Sequence, residues 1–243
     1  MNRWDEICNL PVLLVCKITT RDRVYRGWAN HSWIVTIWQM IATSNRIVMA
    51  DHLVVGLSAW IIQDGNYGDF TRGDRTAFAL EFWAQPPPTR VEPRDEIIAS
   101  MAHRGSAIYE VVARVVHVAE DWWAIDVGVL VYQYSRPPDS AQPGAWLRGN
   151  VFIGIDPFLY FEDCGRRPGA PALVYEWSID KIEIETAPFV EVSPRRFERD
   201  ASQLGWREVA ATTAWEDDSG MGDYLLHCTL LAGPRLPRSK DLP

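Results

Sequence analysis

The chain has few lysines, no paired cysteines and no long apolar run. Of its 24 basic residues only Lys17, Lys181 and Lys240 are lysine, an arginine bias that GC-rich bacterial coding produces without selection for guanidinium chemistry. The formal net charge of −8 argues against a nucleic-acid partner, which needs a cationic surface to meet phosphates. Cys8, Cys16, Cys164 and Cys228 form no C-x-x-C pair and no cysteine–histidine cluster of zinc spacing. They read as reduced thiols of a cytoplasmic protein, with no metal or other cofactor expected. No stretch approaches the roughly 20 apolar residues of a membrane span, so no membrane partner is expected. The short apolar run LPVLLVC follows Asp5 and Glu6, where a secretory signal wants positive charge. A nucleophile elbow, a Walker loop and an H-E-x-x-H helix are all missing, and His31, His52, His103, His117 and His227 are scattered.

The chain is rich in tryptophan, with 12 in 243 residues. A side chain that large is costly to expose, so the excess implies aromatic-walled cores or an aromatic-lined groove. β-branched and aromatic runs recur between glycine and proline turns. WIVTIWQMI (33–41) reads as a strand, with helix as the alternative, and VVGLSAWII (54–62) reads as a strand. TAFALEFW (76–83) alternates, with Thr76, Phe78, Leu80 and Phe82 on one face. QPPPTRVEP (85–93) is a stiff connector, because three prolines cannot sit inside a sheet. A short helix is expected over EIIASMAH (96–103). YEVVARVVHV (109–118) and WWAIDVGVLVYQY (122–134) read as two further long strands, and VFIGIDPFLYF (151–161) as another, interrupted at Pro157.

In ALVYEWSIDKIEIETAPFVEV (172–192), Ile182 and Ile184 alternate with glutamates while Ile179 is out of phase, which predicts a bulge near Asp180–Lys181. A second short helix is expected from Ser193 to Gly205, with Phe197, Ala201 and Leu204 on one face. A final strand pair flanks the acidic turn EDDSGMGD.

The heptapeptides GDFTRGD (68–74) and GAWLRGN (144–150) share the pattern Gly, any, aromatic, any, Arg, Gly, Asp or Asn. One loop insertion aligns the segments around them, pairing Gly56 with Gly128 and Phe82 with Phe158. The expectation is two equivalent turns entering two equivalent strands, an internal repeat. The expected fold is mostly β: two small, partly open barrel lobes with two short helices, over residues 1–88 and 89–235, followed by a disordered tail, 236–243.

Among ionisable groups, Asp126 draws attention, sharing a strand face with Trp122, Ala124 and Gly128. It is either a tuned acid or base or an acceptor for turn backbone. His117 is a core histidine or a catalytic base. Glu176, Ser178 and Asp180 form a polar row that either lines a pocket or meets water. If the protein is an enzyme, Asp126, His117 and Glu176 are its catalytic candidates. If it binds a ligand, Trp122, Trp123, Arg148, Trp177 and Asp180 are the contact candidates. Two functions follow. One is a soluble binding protein presenting an aromatic-lined groove to a protein partner or small organic ligand, with a homo- or hetero-oligomer as an open alternative to a single chain. The other is a metal-free lyase or cyclase of bacterial secondary metabolism working by carboxylate acid/base chemistry.

Overall fold

The computed structural model describes residues 52–102, 106–193, 195–238 and 241. The expected strand 33–41, Cys8, Cys16, His31 and His103 lie outside these residues. The described residues belong to one unit spanning Val48–Pro243. In chain order its strands are β1 (His52–Ser58), β2 (Arg75–Phe78), β3 (Leu80–Trp83), β4 (Thr89–Val91), β5 (Ile98–Met101), β6 (Ile108–Val118) and β7 (Trp123–Asp126). β8 (Leu130–Gln133), β9 (Trp146–Ile155), β10 (Val174–Glu185), β11 (Phe189–Ser193), β12 (Arg196–Arg199), β13 (Trp206–Val209) and β14 (Asp223–Arg235) follow. Two short helices, α1 (Ala59–Gln63) and α2 (Leu159–Glu162), complete the fold. No helix among the described residues is long and apolar enough to cross a membrane.

The fold is mostly β, as expected, but its two lobes differ. One is a closed five-stranded barrel: β6 pairs with β9, β9 with β3, β3 with β8, β8 with β7, and β7 with β6. The other is an open sheet in which β10 joins β13, β14 and β2, and β14 joins β1. A parallel bridge from Gly56 in β1 to Gly154 in β9 connects them. Strands from before residue 88 thus share sheets with strands from after it, so the expected boundary there does not separate two sets of strands.

Alternation decides the barrel. Leu80 and Phe82 of β3, Val111, Ala113 and Val115 of β6, and Trp123 and Ile125 of β7 point inward and are buried. The Phe82 and Trp123 rings meet edge to face with centroids 4.8 Å apart. The interior is filled by side chains, as in other small barrels.

Several expectations are corrected. The run 76–83 alternates as read but breaks at Ala79, so that β2 serves the open sheet and β3 the barrel. The run 54–62 is strand only to Ser58; its end is α1. The segment 122–134 is a hairpin, not one strand. Gly128, at φ +100°, reverses the chain between β7 and β8. The proline connector contains β4, which pairs with β9. Both expected helices are strands: 96–103 contains β5, and 193–205 contains β12 and a single 3-10 turn, Ala201–Gln203. Phe197 and Leu204, the expected buried face, are exposed. Edge pairing outweighed helical spacing in both, since a short segment beside an open strand gains backbone hydrogen bonds there. The bulge at Asp180 is present: the β10–β14 register shifts between Ile179 and Lys181. The tail is not wholly loose, because Arg235 makes a paired contact with Asp241 at 2.6 and 2.9 Å.

The two heptapeptides do not occupy equivalent positions. Gly68–Asp74 forms turns and a single bridge before β2, whereas Trp146–Asn150 is already inside β9. β2 pairs with β10, but β9 pairs with β1, β3, β4 and β6. Gly56 lies within β1, where a Cβ would sit 2.2 Å from the Phe152 ring, while Gly128 forms a hairpin turn. The two stretches therefore do not form equivalent turns entering equivalent strands.

Candidate functional site

The strongest concentration of chemistry lies on the outer face of the barrel. The β3–β8 register sets Glu81 opposite Tyr132, both directed away from the barrel core. One residue past β9, Asp156 is held against the same face by the bond from its N–H to the Ala79 carbonyl, 3.0 Å. Pro157 ends the strand, Phe158 adopts φ +77°, and α2 begins. The segment after Asp156 folds back over the barrel, so that Phe158, Tyr160, Phe161, Cys164 and Leu173 cover Trp122, Ala124 and Tyr132.

Asp156 is fully buried. Its carboxylate accepts the Tyr132 hydroxyl and the Tyr160 N–H, the latter at 3.2 and 3.3 Å. Burial pushes its pKa up to about 7, against the opposing pull of those hydrogen bonds. Burial likewise raises Glu81 to about 8, helped by the negative charge of Asp156. Tyr67 joins this pair: its hydroxyl is buried without a hydrogen-bond partner among the described residues, and burial and both carboxylates raise its pKa. Two carboxyls with raised pKa values beside tyrosines are suitable equipment for proton transfer.

Two clefts on the surface of the described residues are lined by other side chains than Glu81, Asp156 and Tyr67. The larger, about 550 Å³, is lined by Glu120, Asp121, Arg136 and Arg167. Arg167 is engaged there, donating to Asp121 at 2.6 and 2.8 Å and to Asp163, and it holds both carboxylates below their usual pKa range. The smaller, about 260 Å³, lies on the outer face of β5, β6 and β9, with Val91, Ile98 and Val112 beside Arg94, Glu110 and Arg148.

The residues singled out by sequence are dispersed. Asp126 accepts the Gly128 N–H at 3.0 Å, which makes it a brace for the hairpin turn. His117 lies with its ring centroid 4.2 Å from that of Trp122, and burial lowers its pKa. Glu176 is exposed, 4.0 Å from Arg235. Asp180 projects from the bulge and accepts the hydroxyls of Ser178 and Thr229, with His52 3.8 Å away. Arg148 pairs with Glu110 at 2.6 Å. Trp122, Trp123 and Trp177 are each 1% exposed or less. Trp122 and Trp123 face opposite sides of the barrel wall, and Trp177 stacks on Phe78 at 5.6 Å. These tryptophans form cores, and no aromatic-lined groove brings them together.

Glu81, Tyr132, Tyr67 and Asp156 are not among the candidates that the sequence pointed to. One signal was present: Glu81 is the only charged residue in TAFALEFW.

A second feature stands at the end of the open sheet where β1 and β10 finish and β13 and β14 begin. Ten large apolar side chains are exposed among the described residues, and six of them belong to the segments that follow β10: Val190 and Phe197 on opposite faces of the β11–β12 hairpin, Val192 on its first strand, Leu204 after it, and Trp215 and Met221 before β14. Arg199 of β12 ties the β11–β12 hairpin to the turn before β14, donating to the Met221 carbonyl at 2.9 Å and pairing with Asp218 and Asp223.

Comparison of the chain with protein-family models, with curated proteins and with solved structures finds no match.

Proposed function

We propose that this is a binding protein that docks a protein partner at the hairpin end of its open sheet. The observation behind this reading is that six of the ten exposed large apolar side chains among the described residues lie between residues 190 and 221, on the two faces of the hairpin and on the loop and turn that follow, while the barrel interior is filled. Exposed apolar side chains concentrated in one part of a soluble domain mark an interaction site. The test is affinity capture with cross-linking in the native host, comparing the wild type with a Val192→Asp/Phe197→Asp double variant. Loss of the captured protein in the double variant, with an unchanged melting temperature, supports the reading. Equal capture by both, or copurification of a small molecule alone, overturns it.

The alternative, a metal-free lyase or cyclase, draws on Glu81 and Asp156 rather than Asp126, since these two are the carboxyls with raised pKa values at one buried place. On that reading Glu81→Gln abolishes turnover of a small organic substrate without loss of fold.

A further inference from the structure

Trp215 stands out at this end. It is 70% exposed, although the residues on both sides of it are held by hydrogen bonds. Ala214, its neighbour, is fully buried, and its N–H donates to Asp69 at 2.9 Å. Gln63 of α1 donates from Nε2 to the carbonyls of Ala214, at 2.7 Å, and Gly220, at 2.9 Å. Asp217 accepts the Thr213 N–H at 3.0 Å and the Tyr224 hydroxyl at 2.8 Å. Asp218 and Ser219 both adopt left-handed backbone, at φ +51° and +58°, a conformation that non-glycine residues hold only when their surroundings enforce it. The turn therefore presents a large ring from a rigid frame, and Met221, 39% exposed, sits on the same turn. A rigid exposed aromatic is the side chain that most often anchors a protein contact, because little entropy is lost when it is covered.

The charge around the ring identifies its complement. Residues 213–223 include Glu216, Asp217, Asp218 and Asp223 and no basic residue, and Arg199 of β12 is the cation that reaches this turn, so that its charge stays negative. Asp217 is occupied by the turn, and Asp218 and Asp223 by Arg199, whereas Glu216, next to Trp215, is exposed. An aromatic face beside a solvent-facing carboxylate attracts a cation twice, by the ring quadrupole and by the ion pair. The net charge of −8 adds long-range attraction of the same sign.

We infer that the Trp215 turn is the anchor of the proposed docking surface and that it receives a basic protein segment, an arginine or lysine of which stacks on the indole beside Glu216. This rests on the binding-protein reading and specifies the partner's chemistry.

The probe is hexa-arginine, titrated calorimetrically into the full chain at low ionic strength, with free arginine and hexaglutamate as comparisons. Hexa-arginine should bind and the other two should not. Trp215→Ala, which leaves every charge in place, should weaken binding about three- to tenfold. Trp215→Phe should fall between the two, and both variants should melt with the wild type. Equal affinity for wild type and Trp215→Ala would mean diffuse electrostatics only and overturns the inference, as does absence of hexa-arginine binding. Binding of free arginine as tight as hexa-arginine would make this a small-molecule site, and concentration-dependent dimerisation abolished by Trp215→Ala would make a second copy the occupant; either result overturns it. Failure here leaves the broader reading to the hairpin double variant, which keeps Trp215 intact.

Discussion

Tyr132 and Asp156, 24 residues apart in the chain, meet in a fully buried hydrogen bond in which the tyrosine hydroxyl donates to Oδ1. The same carboxylate receives the Tyr160 N–H, so one buried group joins the barrel wall to the segment that covers it. Tyr132→Phe removes the donor while keeping the ring. The expected loss is about 1–3 kcal/mol in urea unfolding, the cost of leaving a buried acceptor short of a partner. An unchanged midpoint would show that the bond adds nothing to stability.

Glu81 and Asp156 make stability depend on pH with a definite sign. Both have folded pKa values, about 8 and about 7, above the ordinary carboxyl range, so the native state holds protons that the unfolded chain has released. Stability therefore falls as pH rises from about 4 towards 8, by up to about 1.4 kcal/mol per pH unit for each group, and levels off above that. Glu81→Gln should flatten the decline. Melting temperatures at pH 5.5 and 8.5 measure this; an equal drop in wild type and variant would remove Glu81 from the account.

Trp123 fills the barrel against Phe82, and truncating it leaves a cavity in a closed wall that cannot collapse freely. Trp123→Ala should cost about 3–5 kcal/mol. Trp215→Ala, by contrast, should be neutral for stability. Chemical denaturation of the two variants side by side distinguishes core from surface tryptophan.

The hairpin turn predicts a contrast at two neighbouring positions. Asp126→Asn retains an oxygen that can accept the Gly128 N–H and should be nearly silent. Gly128→Ala forces a Cβ into φ +100° and should cost about 1 kcal/mol or more. If Asp126→Asn were the more damaging change, its role would exceed that of a turn brace.

Arg167 links the covering segment to Asp121 beside the barrel. Arg167→Ala should leave the barrel amides protected in hydrogen exchange while speeding exchange at 157–167. Uniform protection in both proteins would separate this ion pair from the closure of the segment.

Some of this architecture was determined by local sequence. The alternation of Val111, Ala113 and Val115, the phase slip at Ile179 and the turn at Gly128 follow from the two-residue period of a strand and the freedom of glycine, which act on the residues themselves. The tertiary structure decided everything that depends on a distant partner. TAFALEFW reads as one strand, but its two halves belong to different sheets because β10 and β9 claim them separately. EIIASMAH has helical spacing yet contains β5, because an open edge of β6 offers backbone bonds that a short helix lacks. The raised pKa of Glu81 depends on desolvation at its place opposite Tyr132 and on the charge of Asp156, brought near by the β3–β9 pairing, and Trp215 stays exposed on a turn that is pinned from α1, β12 and β14. Desolvation and exposure are properties of the assembled surroundings, so the sequence named the carboxylates and tryptophans without saying which ones water would reach.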